Sequence, residues 1–433
     1  MIDKVEQLGL TPLLLAPNGR IAQRYQSLGL DCHSIYTLLY NSQPDEIRKS
    51  SSGVGVGVHK VKLTPQEVEG KCLIIVDAHL LGNSYFSTDT TLFGTGYLVN
   101  DLLGALGEKP PKIALVGDPY QLSRGDLKLS FIHGQAFEER GLLVKRALLD
   151  EQLRPDPEQH GLLDYQLELA EHLQHKHFNR LPVPDGEQVR EVNKDPELPN
   201  ELSTGHYHAV YLCALNEAAH RINLAVKRAL RPQGSYALEV QDRVDFNNRT
   251  PVVNDVSSMA EPQEEEQSKV NAGDIGIVEW VSEQDEVHSI LLKGRNEATE
   301  LRFRLMRCKV PGLGSVNVRY LPDFLTNEKP ELPSDQLLAM NVFARQQAES
   351  DYADLNARLT EIKAWDSEVD KEKYKAEKKH FDMLINRRVM SSGYFNAARI
   401  RFAYAMTVHR GQGREWDHVI LNAERSSGGE SHH

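Results

Sequence analysis

The apolar run Leu73-Ile74-Ile75-Val76 ends in Asp77. A carboxylate at the tip of a buried strand projects into the crevice beside the sheet, where it can hold Mg²⁺ next to a nucleotide. An aspartate in that place also serves as a helix cap or a turn residue. A second apolar run, Ile113-Ala114-Leu115-Val116, leads into Gly117-Asp118-Pro119-Tyr120-Gln121-Leu122. That turn brings Asp118 and the carboxamide of Gln121 to the same crevice, where the amide could sense a γ-phosphate or orient water. A plain β-turn accounts for Gly-Asp-Pro but not for the whole constellation. Arg154, in Leu153-Arg154-Pro155, offers a planar, permanently charged fork suited to the charge that develops on a transferring phosphoryl group. A surface ion pair with Asp150 is the alternative. In His409-Arg410-Gly411-Gln412-Gly413, two glycines around an amide let the backbone approach a phosphate or sugar closely. Thr407, His409 and Arg410 are of the types that contact a nucleic-acid backbone.

These residues need elements to position them. Leu13-Leu14-Leu15-Ala16, the two runs above and Val210-Tyr211-Leu212-Cys213-Ala214 are continuous rather than alternating, which implies strands covered on both faces, as in a parallel sheet flanked by helices. Each ends in a polar or small turn, and ligands on open α/β sheets bind outside the carboxyl ends of the strands. From about Gln241 the texture changes to alternation with Gly-Asp turns, interrupted by the acidic linker Glu261-Pro262-Gln263-Glu264-Glu265-Glu266, and reads as a small antiparallel β module. Between Ser334 and Arg388 lies a stretch without Gly or Pro. Ala348, Tyr352, Leu355, Leu359, Ile362, Trp365 and Val369 form one apolar seam on a long helix, expected to project as a hairpin or arm. The block Ala397 to Leu421 returns to strand and turn texture.

Composition bounds the rest. The 433 residues suffice for several domains, and 40% hydrophobic with 26% charged residues is ordinary for a globular protein. A net charge of −12 excludes a basic coat but not a local nucleic-acid groove. Cys32, Cys72, Cys213 and Cys308 are far apart and form no C-x-x-C pair, so buried free thiols in a reducing, cytoplasmic setting are expected. No run approaches the 18 or more apolar residues of a membrane span, so no membrane partner is expected.

In chain order these segments resemble the motifs of the superfamily 1 helicases, in the RecD-like branch that moves 5′ to 3′ on single-stranded DNA. Leu13 through Ala22, containing Pro17-Asn18-Gly19-Arg20, is similar to the DNA-contacting motif Ia, and Ser34-Ile35-Tyr36-Thr37-Leu38-Leu39 to the short segment after it. Ile74 through Leu80 resembles motif II, Gly117 through Leu122 motif III, Leu153-Arg154-Pro155 motif IV, and Tyr404 through Ile420 motif V. Arg243-Val244 with Asn271-Ala272-Gly273-Asp274-Ile275-Gly276 is similar to the β-barrel insertion of that branch. Motifs III and V are the specific ones.

The resemblance implies an α/β fold with two RecA-like parallel-sheet lobes, a small β-barrel insertion and a helical arm. Residues 1–150 would be the first lobe, with a small insertion at about 41–70; 151–240 and 389–433 the two parts of the second; 241–310 the barrel; and 311–388 the arm. ATP and Mg²⁺ would sit between the lobes. Asp77 would hold the metal, with Asp118, Gly411, Gln412 and Gly413 also on the nucleotide, and Gln121 and Arg154 would act at the γ-phosphate. Asn18, Arg20, Ser34, Thr407, His409 and Arg410 would lie along single-stranded DNA, RNA being the variant, and the arm would take a protein partner.

The sequence departs from the family pattern. No G-x-x-x-x-G-K-[ST] loop occurs, and Gly53-Val54-Gly55-Val56-Gly57-Val58-His59-Lys60 has the wrong spacing to replace it. Motif II reads Asp77-Ala78 where the family has Asp-Glu, and no motif VI arginine follows Leu421. Motif order therefore implies either the middle of a longer helicase, weak or inactive by itself, or a natural relative that has lost hydrolysis. The expected activity is an ATP-dependent DNA helicase or single-strand translocase. The rival is a non-hydrolysing nucleic-acid-binding or scaffold subunit, and an ATPase remodelling protein or RNA is a third reading.

Overall fold

The computed structural model describes all residues except 43, 50–54, 89, 123–128, 150–159, 176–208, 231–235, 254–267, 330, 364–367 and 422–433. The fold is α/β. Four strands, Cys32–Ser34, Thr11–Ala16, Lys71–Ile75 and Lys112–Leu115, lie side by side in that order, all parallel. Leu13 stands opposite Leu73, and Leu73 opposite Ile113. Their side chains alternate between two separate cores, which is why the runs are apolar without a break. Leu15, Leu73 and Ile75 pack with Ile35, Leu39 and the helix Leu98–Leu106. Leu14, Ala16, Cys72, Ile74 and Val76 pack on the other face with Val5, Ile21 and Ala22. Fully burying such a leucine or isoleucine contributes about 1.5–3 kcal/mol, so the strand ends are set in a stiff frame.

The second parallel sheet has the order Ala405–Thr407, Ala209–Cys213, His418–Leu421. The helix Asn216–Leu230 packs on it, and its buried Asn223 ties the helix to the start of the strand Ala405–Thr407. The Asn223 carboxamide donates to the Ala405 carbonyl at 2.7 Å and accepts from the Tyr404 and Ala405 amides at 2.9 and 2.7 Å.

The antiparallel module differs from expectation in extent. Its sheet runs Glu286–Leu291, Ala298–Val310, Ile275–Val281, Arg243–Phe246, Ile400–Phe402, with Gly314–Tyr320 also paired to Ala298–Val310. The boundary expected at residue 310 falls inside a hairpin, where Leu313 N–H donates to the Val310 carbonyl and Gly312 and Gly314 take positive φ. Ile400–Phe402, expected with the second lobe, completes this sheet, and the chain changes sheets only at Ala403-Tyr404. The insertion expected at about 41–70 contains the paired strands Glu46–Lys49 and Gly55–His59, the latter parallel to Thr91–Phe93. That strand conformation at Gly55–His59 agrees with the rejection of this segment as a phosphate loop.

The long helix is likewise corrected. It divides into Ser334–Asp351 and Ala353–Lys363, broken at Tyr352, followed by Glu368–Ser391. Trp365 lies outside the described residues. Nor does the first helix project: Leu337, Met340, Phe343 and Ala344 share a core with Ile290, Leu301 and Phe303 of the antiparallel sheet and with Phe381, Ile385 and Val389. All four cysteines are buried and unpaired, with burial raising the thiol pKa to about 11 in Cys32 and Cys213 and about 12 in Cys308. Among the described residues no helix is long and apolar enough to cross a membrane.

Candidate functional site

The carboxyl ends of the first sheet deliver two turns to one place. After Lys71–Ile75, Asp77 takes a left-handed conformation (φ 47°) and starts a short 3₁₀ turn, Ala78–Leu80. A non-glycine residue there is uncommon, and such strain clusters at functional sites. After Lys112–Leu115, the Asp118 carboxylate accepts from the Tyr120 amide at 2.9 Å and from the Gln121 carboxamide at 3.3 Å. His79 joins the two turns: its Nδ1 lies 3.3 Å from the Asp118 backbone nitrogen. Burial lowers the His79 pKa, while Asp77 and Asp118 act in the opposite direction.

The turn after the strand Ala405–Thr407 reaches the same point from the second sheet. Gln412 Nε2 lies 3.1 Å from His79 Nε2, 3.4 Å from Gln121 Oε1 and 3.0 Å from the Leu122 carbonyl. Its own carbonyl accepts from Arg20 at 3.1 Å. Arg24 donates to the Gly413 carbonyl at 3.2 Å and pairs with Glu415 at 2.9 Å. Gly411 is closely packed: a Cβ there would stand 2.9 Å from Leu212 Cδ2, so that side chain would have to shift. Gly413 is required by its φ of 75°.

Thus three segments far apart in sequence, carrying Arg20, Asp118 with Gln121, and Gln412, meet at one junction, and Asp77 begins the turn that carries His79. The other expected residues stand as follows. The side-chain oxygens of Asn18, Ser34 and Thr407 each accept a backbone amide at the start of a helix, from Ile21 at 3.0 Å, Tyr36 at 3.3 Å and Arg410 at 3.4 Å. His409 is exposed. Arg410 faces inward and pairs with Asp245 at 2.5 Å and with Asn247. Arg154 lies outside the described residues.

Beneath the junction is a charged cluster that motif reading missed. Asp245, 5% exposed, and Asp274, 9% exposed, lie among Arg20, Arg401, Arg410 and Arg414. Burial raises both carboxyl pKa values against the pull of the arginines, and it lowers that of Arg414 to about 10. Four guanidinium groups face two carboxylates, which leaves positive charge in excess. Arg414 Nε is enclosed without a hydrogen-bond partner. Arg414 directly follows Gly413 and was within reach of the sequence; the two aspartates were not. His79 lies inside the segment Ile74 to Leu80, two positions after Asp77, and no feature of its spacing announces its contact with Gln412.

No model of a known protein family matches the chain, and no curated protein matches it.

Proposed function

We propose that the chain is the core of a RecD-like superfamily 1 helicase or single-strand DNA translocase, with two RecA-like lobes, a barrel-like β insertion and a helical arm. The observation that carries this reading is the meeting of Gln121 and Gln412 at 3.4 Å across 291 positions of sequence. Two amide-bearing turns from two parallel sheets, joined at their strand ends, form the kind of junction a nucleotide-driven motor opens and closes. The arginine excess beside it suits the phosphates of a single strand, and exposed His409 and Asn18 would flank its path.

The two expected cofactors fare differently. Mg²⁺ binds through one or two carboxylates and keeps several waters, and Asp77 and Asp118, at the ends of neighbouring strands, are the carboxylates that would hold it. Among the described residues, no glycine-rich turn after an apolar strand offers a cradle for ATP phosphates, so no hydrolytic step is assigned to these residues. Ala78, fully buried where the family carries its second carboxylate, favours a second reading: a non-hydrolysing nucleic-acid-binding subunit. Fluorescence anisotropy with oligo(dT), alongside ATP turnover with and without it, tests both. Strand-stimulated turnover that Arg154→Ala abolishes supports the motor; binding without turnover supports the subunit; absence of binding refutes both.

A further inference from the structure

We propose that Asp274 is a positioning residue: from the antiparallel module it supplies the negative charge that lets Arg20 of the first sheet's flanking helix stand beside Arg414 of the turn after Ala405–Thr407, and so holds the two parallel sheets together. The inference rests on the motor reading only for the use made of that closure. The helix Gly19–Ser27 buries Ile21 and Ala22 against the first sheet. Its polar side, Arg20, Gln23 and Arg24 at helical spacing, meets two turns from elsewhere in the chain. Arg20 and Arg24 donate to the Gln412 and Gly413 carbonyls at 3.1 and 3.2 Å. The Gln23 carboxamide pairs with that of Asn271 at 3.3 Å, and a Cβ on Gly19 would lie 3.5 Å from the same Asn271. The antiparallel module is therefore seated on the first sheet's helix as well as on the second sheet's turn.

The turn Asn271-Ala272-Gly273-Asp274 presents one carboxylate at this seat. Asp274, 9% exposed, accepts from the Asn271 amide at 2.8 Å, and its own amide donates to the Asn271 carbonyl at 3.1 Å. Gly273 takes a φ of 89°, and a Cβ on it would stand 4.0 Å from Arg20 Nε. Arg20 and Arg414 are both drawn to Asp274, while they repel each other. The neighbouring Asp245 is committed to Arg410 at 2.5 Å, and its pull on Arg20 is the weaker of the two. Asparagine at 274 would keep the turn, since its side-chain oxygen still accepts from Asn271. It would leave two guanidinium groups opposed across the joint, where burial limits screening. Arg20 moves with the first sheet and Arg414 with the second, so the repulsion is relieved by parting the sheets.

Dyes at Lys4→Cys and Glu217→Cys, both exposed while the native thiols are buried, report the distance between the sheets by energy transfer. Asp274→Asn should lower the ratio of closed to open molecules about tenfold, within the range of coupled charges. In an Arg20→Gln background the same substitution should change that ratio less than about twofold, because no repulsion is left to release. Equal shifts in both backgrounds would show that Asp274 only shapes its turn and would overturn the proposal. Should Asp274→Asn fail to fold by circular dichroism, Arg20 reads the same balance from the other side. Arg20→Lys keeps the charge and should stay closer to the unsubstituted ratio than Arg20→Gln; equal losses would mean that only the bond to the Gln412 carbonyl matters, which overturns the proposal. Failure of the unsubstituted protein to bind oligo(dT) refutes the motor reading and leaves these distance results standing.

Discussion

Replacing Lys227 by methionine should cost the protein about 3 kcal/mol of stability, more than a hundredfold in its folding equilibrium. Lys227 is fully buried on the helix Asn216–Leu230, its Nζ 2.6 Å from Asp242 and 3.5 Å from Glu239. Asp242 also accepts from the Glu239 amide at 2.7 Å and the Tyr404 hydroxyl at 2.9 Å. Methionine preserves the apolar stem and removes only the cation, stranding a buried carboxylate. Breaking a buried pair from one side costs about 3–5 kcal/mol, and the two remaining donors place this case at the lower end. Asp242→Asn should cost a similar amount for the converse reason, leaving a buried ammonium with a weaker partner. The double variant should be less destabilised than the sum by about 2 kcal/mol, since neither charge is then stranded. Urea unfolding, followed by far-ultraviolet circular dichroism and tryptophan fluorescence, reads all three. A coupling under about 0.5 kcal/mol would refute the reasoning, because the ion pair would then be no more than a packed stem.

Four further outcomes follow. His409→Ala should weaken binding to every oligonucleotide sequence similarly, as the loss of a backbone contact does; unchanged affinity, or a loss confined to one sequence, removes His409 from the strand. Arg410→Lys should lower both stability and oligo(dT) affinity, because an ammonium cannot hold Asp245 and Asn247 with the guanidinium's geometry; full wild-type stability by urea titration contradicts this. Burial, with Arg401 adding to it, lowers the His220 pKa in the folded state, so the unfolded chain binds more protons as pH falls below about 6.5. Stability should therefore drop from pH 7 toward pH 5.5, and His220→Gln should reduce that drop; an identical drop in the variant excludes His220 as a source. Gly94→Ala should destabilise severely, since φ is 51° and a Cβ would meet the Asp101 carboxylate that anchors Tyr40 and Thr95; thermal unfolding at the wild-type midpoint would contradict it.

The parallel strands were legible because burial on both faces leaves an unbroken apolar run, as at Leu73 to Val76, and little else produces one. The meeting of Gln121 and Gln412 was expected only through the helicase resemblance, which places both turns beside one nucleotide; the strand-end rule by itself sets each turn at the end of its own sheet. The charged cluster was not. In Arg243-Val244-Asp245-Phe246 polar and apolar residues alternate, a pattern normally read as one face in water, yet all four are buried. Their polar face is covered by chain more than 150 positions later, and Asp245 meets Arg410 there. The break at Tyr352 carries no glycine or proline to announce it. Ser334–Asp351 is fixed by its seat on Phe303 and Ile290, a tertiary cause that helical periodicity does not contain.

The turn Thr407 to Glu415 is attached unequally to its two sides, and that asymmetry determines what moves. Toward the second sheet and the antiparallel module it is held by a strand pairing, a capping bond at Thr407, the close packing of Gly411 on Leu212, and the pair between half-buried Arg410 and buried Asp245. Among the described residues its hydrogen bonds toward the first sheet all involve side chains, those of Arg20, Arg24 and Gln412. The Arg24–Glu415 pair is solvent-exposed and contributes at most about 1 kcal/mol. Each of the few hydrogen bonds adds roughly 1 kcal/mol net, so the junction can open for a few kcal/mol while the turn stays intact. That is within the binding energy of a micromolar ligand, about 8 kcal/mol. A ligand that competes for Arg20 or Gln121 can therefore separate the sheets, and the turn would travel with the second.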